Sequence, residues 1–100
     1  MFLIAASWSS PPPLPPTAEE KLRNALLQHD GSHGRLQHVR LHMSRGGARG
    51  VLFVSAQDSA AAESHVRALW AAVARSGGPV GGWRLLQCTP LPLGGARPPR

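Results

Sequence analysis

The centre of the chain has the pattern of a β-hairpin, and this feature constrains the fold more than any other. Residues 36–43, LQHVRLHM, alternate between apolar and polar side chains, as a half-buried strand does. The glycine-rich stretch SRGGARG follows as a loop. VLFVSA, residues 51–56, is then a second strand, rich in aliphatic and aromatic residues. We therefore predict two neighbouring antiparallel strands in the middle of the chain.

The segment before the hairpin predicts a helix. Thr17, followed three residues later by Glu20, has the spacing of a capping box. The stripe of this helix consists of Leu22, Ala25 and Leu26, and His29 is a further candidate for the same face. HDGSHG, residues 29–34, ends it, with a glycine available for a left-handed exit.

A second helix and a last strand follow the hairpin. Asp58 or Ser59 is the expected N-cap. The helical stripe consists of Ala62, Val66, Leu69 and Val73. WRLLQC, residues 83–88, is the final strand, and Pro90 is expected to close it because proline lacks a backbone donor.

The chain begins with the apolar run Phe2–Ala6, which predicts a buried strand. Residues 9–16 follow as a proline-rich connector that can form neither a helix nor a central strand. The same segment could also serve as a PxxP ligand for an aromatic groove. Since it ends directly at a helix start, the connector interpretation is favoured.

The order of elements is therefore strand, helix, strand, strand, helix, strand. Two such strand–helix–strand units predict an α+β, ferredoxin-like βαββαβ sandwich, with a four-stranded antiparallel sheet and both helices on one face. A chain of 100 residues forms one small domain. We place that domain at residues 1–89 and a flexible basic tail at residues 90–100.

Alternation assigns the strand side chains to two faces. The helix-facing set is predicted to be Leu3, Ala5, Val39, Leu41, Met43, Leu52, Val54 and Ala56. The open set is predicted to be Phe2, Ile4, His38, Arg40, His42, Val51, Phe53 and Ser55. A slip of one residue exchanges the two sets in a strand, and the nearly uniform apolar character of the first strand leaves its phase weakly determined.

The charge pattern favours a polyanionic partner. The net charge is +6, and ten of the eleven cationic residues are arginine, whose planar guanidinium suits phosphates and stacks on bases. Nucleic acid, an acidic protein and a membrane surface all fit such a charge. GC-rich coding would raise the arginine content without any binding role.

Residues 49–56, RGVLFVSA, resemble the longer sequence motif of the RNA recognition motif family, which runs basic, Gly, aromatic, small, aromatic, aliphatic, any, aromatic. Arg49, Gly50, Phe53 and Val54 match, whereas Val51 stands at the place of the first aromatic residue. MFLIAA resembles the shorter motif, with Phe2 at its aromatic place. The resemblance covers about residues 1–88, as a degenerate member of the family.

This resemblance implies a small, non-enzymatic, intracellular protein of the nucleus or cytoplasm that binds single-stranded RNA or joins an RNA–protein complex, without a cofactor. Bases would stack on the aromatic residues, and phosphates would contact the cations. The predicted RNA-binding residues are Phe2, Phe53, Arg40, His42, Arg45, Arg49 and Val51.

Two other functions remain open. The first is a protein–protein interaction module, an adaptor or subunit, that buries Phe2, Ile4, Val51 and Phe53 against a partner, a second copy or the proline-rich segment. The second is a small regulatory or ligand-binding domain of the same topology.

Several kinds of site are not expected. The single cysteine, Cys88, allows neither an internal disulfide nor a cysteine-based zinc site, and it is expected in the core. His38 and His42 would lie about 13 Å apart on one strand, too far to bind one metal ion together. The apolar start of the chain is far shorter than the ~20 residues of a membrane helix and lacks a basic leader, so we expect neither a membrane span nor a secretion signal.

Overall fold

The computed structural model describes residues 1–11, 16–31, 34–78, 80 and 82–91. The elements are β1 (Phe2–Ser9), α1 (Ala18–Asp30), β2 (Leu36–Ser44), β3 (Gly47–Val54), α2 (Ser59–Ser76) and β4 (Arg84–Leu91). The strands form one antiparallel sheet in the order β2-β3-β1-β4, so β2 and β4 are its edges. The predicted α+β ferredoxin-like fold is confirmed.

The two helices begin where the sequence predicts, but only one is capped as expected. Asp58 caps α2, and its Oδ1 accepts a hydrogen bond from the Ala61 backbone N–H at 2.7 Å. Thr17 precedes α1 without a side-chain cap, so the predicted capping box with Glu20 is wrong. The backbone of Thr17 (φ −92°, ψ 12°) lies outside the extended conformation that a capping side chain needs.

One hydrophobic core fills the space between the helices and one face of the sheet. All four residues of the predicted α2 stripe are buried, as are Leu22 and Leu26 of α1. Trp8 of β1 and Trp70 of α2 are also buried, with ring centroids 5.7 Å apart at an interplanar angle of 57°. Tilted aromatic pairs at this distance are favourable. This contact fixes β1 against the helical layer.

The phase of β1 is opposite to the prediction. Ile4, Ala6 and Trp8 are buried, and Phe2, on the same side of the strand, packs partly buried against the core. Placing Phe2 and Ile4 on the open face was therefore wrong, and Leu3 and Ala5 occupy that face instead. The physical reason is the large indole of Trp8, which enters the core and carries every second residue of the strand with it.

The predicted phases of the hairpin strands are confirmed. Val39, Leu52 and Val54 are buried, and Leu41 and Met43 pack half-buried against the same core. Ser44 pairs with Gly47, so the turn has two residues, and the predicted loop over residues 44–50 was too long. Gly46 in this turn has φ +83°, a conformation that glycine adopts without steric cost.

Some element boundaries differ from the sequence prediction. β1 continues to Ser9, beyond the apolar run, and β4 continues through Pro90 to Leu91, so Pro90 does not close the strand. An edge strand tolerates proline because its outer side needs no backbone donor. Residues 12–15 of the predicted connector and residues 92–100 of the predicted tail lie outside the described residues.

Candidate functional site

The sheet face turned away from the helices carries three rows of side chains, and we call it the open face. Strand register defines each row across β2, β3, β1 and β4. The aromatic row is His38, Phe53, Leu3 and Leu91. The middle row is Arg40, Val51, Ala5 and Thr89. The cationic row is His42, Arg49, Ser7 and Gln87.

A groove of about 640 Å³ crosses the open face and is lined by members of all three rows. Phe53 is half-buried in it. The rings of His38 and Phe53 meet nearly perpendicularly, with centroids 5.2 Å apart and an interplanar angle of 70°. Arg40, His42 and Arg49 line the same groove and are exposed. The face thus combines an accessible apolar surface with nearby hydrogen-bond donors.

A second hollow, of about 430 Å³, extends the open face toward the β2–β3 turn. It shares Ser7, His42 and Arg49 with the larger groove and adds Ser44 and Arg45. Hydroxyl, imidazole and guanidinium groups therefore line this end of the face, and all of them can donate hydrogen bonds to an anion. The two hollows together form one continuous concave surface.

The charges of the protein are segregated between its two layers. All five acidic residues lie in the helical layer, namely Glu19, Glu20, Asp30, Asp58 and Glu63. None of the four strands contains a carboxylate. In the described part of the chain, the recorded ion pairs of arginine join helical residues, Arg23 with Glu19 at 3.0 Å and Arg67 with Glu63 at 2.9 Å. The described strands therefore offer no carboxylate to the cations of the open face.

The structure brings most of the predicted binding residues together. Five of them share the open face, namely Phe53, Arg40, His42, Arg49 and Val51. Arg45 lies beside them in the hairpin turn. Phe2 does not join them, because its side chain packs on the helical side of the sheet. A platform that uses both phenylalanines is therefore excluded by the geometry.

The open face also contains residues that the predicted binding set omitted. Leu3 and Leu91 lie in the aromatic row, and His38 contacts the ring of Phe53. Alternation had placed His38 on this face without assigning it a contact. Leu3 was missed because the phase of β1 depends on the packing of Trp8, which the short apolar run at the start of the chain does not reveal.

Gly50 has a steric role between the middle strands. A Cβ atom there would collide with the carbonyl oxygen of Arg40 and lie 2.8 Å from Cδ2 of Leu41. β3 therefore approaches β2 more closely at this point than a residue with a side chain permits. This close approach sets the separation of Arg40, on β2, from Arg49 and Val51, on β3.

Cys88 lies on the opposite side of the sheet, buried in the core. Burial raises the pKa of its thiol above the ordinary value of 9.0; nearby Arg67 lowers the pKa, and Glu63 raises it. A buried thiol with a raised pKa is a poor nucleophile. Cys88 is thus a packing residue, as predicted.

The residues that the structure describes contain neither a metal-binding cluster nor a membrane-spanning helix. Among them, no three histidine, cysteine, aspartate or glutamate side chains come together as metal ligands would. Neither described helix has the length and apolarity needed to cross a membrane.

The fold and this face define an α+β protein of ferredoxin-like topology, in which the sheet face turned away from the helices carries Phe53 together with exposed arginine and histidine side chains. Comparison of the chain with models of known protein families, with curated proteins and with solved structures finds no match.

Proposed function

We propose that this protein is a small, non-enzymatic protein of the RNA recognition motif type that binds single-stranded RNA through its open face and hairpin turn. One observation carries the proposal. A half-buried phenylalanine, two exposed arginines and an exposed histidine share the sheet face turned away from the helices, and none of the four strands contains a carboxylate.

In this proposal, Phe53 stacks on one unpaired base. Base–aromatic stacking contributes about 1–3 kcal/mol per base and tolerates any base. His38 contacts the Phe53 ring and limits the orientations available to it. The ligand is single-stranded because the bases of a duplex are paired and cannot reach a ring that lies within a groove.

Arg40, Arg49 and Arg45 hold the phosphates. Arg40 lies next to Val51 in the middle row, Arg49 occupies the cationic row, and Arg45 lies in the hairpin turn. Each phosphate contact releases condensed counterions, so affinity falls as salt rises, with a slope of about −0.7 per contact for single strands. A protein of this kind needs no cofactor, and we place it where cellular RNA is found, in the nucleus or cytoplasm.

A second candidate function is supported by the apolar part of the open face. Leu3, Phe53 and Leu91 lie side by side in one row, and Leu86 is 61% exposed at the β4 irregularity. Covering such a row is favourable in a protein–protein interface. In this alternative the protein is an interaction module, and Phe53 is buried against a protein partner instead of a base.

Titration of a labelled single-stranded RNA at two salt concentrations tests the first proposal. We expect binding at low salt that weakens as salt rises, and F53A to weaken it about 5–150-fold, which corresponds to 1–3 kcal/mol. R49A should reduce the magnitude of the salt slope by about 0.7. R75A is the matched control, because Arg75 is an exposed cation at the end of α2. R75A should leave the affinity for RNA and the salt slope nearly unchanged.

The outcomes separate the two candidate functions. Absence of RNA binding at low salt contradicts the first proposal, and an unchanged affinity of F53A contradicts the stacking mechanism. A tight dimer or a stable protein complex, with Phe53 protected from solvent and no RNA bound, supports the interaction module instead.

A further inference from the structure

β2 presents an unusual series of side chains on the open face. His38, Arg40 and His42 occupy its three successive open-face positions, and all three are exposed. Such positions are about 6.8 Å apart along a strand. The series therefore spans about 14 Å along one edge of the sheet.

The elements beside β2 surround these histidines with arginine and no carboxylate. His42 lies opposite Arg49 of β3, and Arg45 follows in the turn. His38 lies opposite Phe53, which it contacts. No group on β3 is placed to form an ion pair with a protonated imidazole.

The more distant elements do not change this arrangement. β4 adds Arg84, and Arg35 precedes β2. The carboxylate nearest in sequence, Asp30, is buried in the helical layer, where it accepts from the Leu36 backbone N–H at 2.9 Å and from His65 Nε2 at 2.6 Å. In the described part of the chain, no strand offers a carboxylate to His38 or His42, and we expect a bound ligand to supply their anion.

We propose that β2 is the phosphate-binding strand of the open face, and that RNA binding is coupled to proton uptake by His38 and His42. This inference rests on the proposed function. Histidine is the side chain that ordinarily changes charge between pH 5 and 8. A phosphate beside an imidazole favours its protonated form. The complex then holds more protons than the separate partners, so affinity rises as the pH falls.

The coupling changes the salt dependence as well as the affinity. A neutral histidine releases no counterion from RNA, whereas a protonated one does so like any other cation. Each histidine that becomes charged in the complex steepens the salt slope by about 0.7, and two steepen it by about 1.4. This change in slope distinguishes new phosphate contacts from a general loosening of the protein.

The test uses a labelled oligouridine with a 5′-hydroxyl end. Uridine takes up no proton near neutral pH, and a terminal phosphate, which titrates near pH 6, is absent. Dissociation constants are measured at pH 6 and pH 8 over a range of salt concentrations. We expect tighter binding and a salt slope steeper by up to about 1.4 at pH 6.

Three variants test whether His38 and His42 cause the pH dependence of the salt slope. H38Q/H42Q should lose the pH dependence of the slope, and H38K/H42K should bind at pH 8 with the steep slope that the unmodified protein shows at pH 6. H29Q is the matched control, because His29 is an exposed histidine in the last turn of α1, away from the sheet. It should retain the full pH dependence. Circular dichroism verifies that each variant is folded.

The failures of the two proposals are distinguishable. Salt-dependent RNA binding with equal slopes at pH 6 and pH 8 overturns the role of β2 and leaves the proposed function intact. A pH-dependent slope that persists in H38Q/H42Q also overturns it. No binding at low salt at either pH overturns both.

Discussion

Asp30 joins three elements of the fold, and its removal should destabilise the protein strongly. It ends α1 and is only 3% exposed. Its Oδ2 accepts from the backbone N–H of Leu36 at the start of β2, and its Oδ1 accepts from Nε2 of His65 on α2. The substitution D30A removes both contacts and leaves the buried Leu36 N–H without this acceptor.

The magnitude follows from the two contacts. A buried backbone donor that loses its acceptor costs about 1–3 kcal/mol. A hydrogen bond between side chains typically contributes about 0.5–1.5 kcal/mol and more when one partner is charged, so we assign about 1–2 kcal/mol to the partly buried contact between Asp30 and His65, whose side chain is 16% exposed. We therefore expect D30A to lower the free energy of unfolding by about 2–5 kcal/mol. For a domain of this size, each kcal/mol lowers Tm by about 4–8 °C.

Urea denaturation of a double-mutant cycle tests the reasoning. D30N keeps an oxygen for the Leu36 N–H but removes the charge, so it should cost less than D30A. Because His65 makes a further interaction, the loss of stability in H65Q alone includes more than the contact with Asp30. The coupling energy between D30N and H65Q measures the interaction of Asp30 with His65. We expect this coupling energy to be about 1 kcal/mol or more. A D30A effect below about 0.5 kcal/mol, or a coupling energy of zero, refutes the assigned role.

Three further predictions concern other parts of the chain. G50A should lower the free energy of unfolding by about 1–3 kcal/mol, since its Cβ meets the Arg40 carbonyl; an unchanged urea midpoint contradicts this. The raised Cys88 pKa stabilises the fold fully below pH 9.0 and less as the pH rises toward the folded-state pKa. The urea midpoint should therefore fall less between pH 8 and pH 10 in C88A than in the unmodified protein. An equal fall of the midpoint in both proteins contradicts this. V51F adds an aromatic ring beside Phe53 and should tighten RNA binding about 5–150-fold; RNA titration measures this, and unchanged affinity contradicts the stacking surface.

The hairpin and the helices could be predicted because each has two chemically different faces. In β2, Val39 alternates with cationic neighbours, so only one register buries the apolar residues. The α2 stripe recurs at helical spacing and is buried as predicted. Where polar and apolar residues alternate or recur regularly, the local pattern is sufficient to place side chains in the core.

Features that depend on distant contacts could not be predicted. Thr17 has the residue type and spacing of a cap, yet its backbone conformation prevents the side-chain bond. Pro90 continues β4 because the strand lies at the edge of the sheet, which depends on strand order. The pairing of Asp30 with His65 joins residues 35 positions apart, and no local pattern indicates it.

The phase of β1 decides how the open face can bind a ligand. Because Trp8 packs on Trp70, Phe2 is directed to the core and Leu3 takes its place beside Phe53. The aromatic part of the face is then limited to Phe53 and the histidine that contacts it from β2. The ring pair and the exposed side chains Arg40, His42 and Arg49 lie on β2 and β3, whereas β1 contributes small or aliphatic side chains to this face. A ligand that combines stacking on Phe53 with contacts to these side chains would therefore lie over the hairpin, and there it would also meet the β2 histidines to which we assign pH-dependent binding.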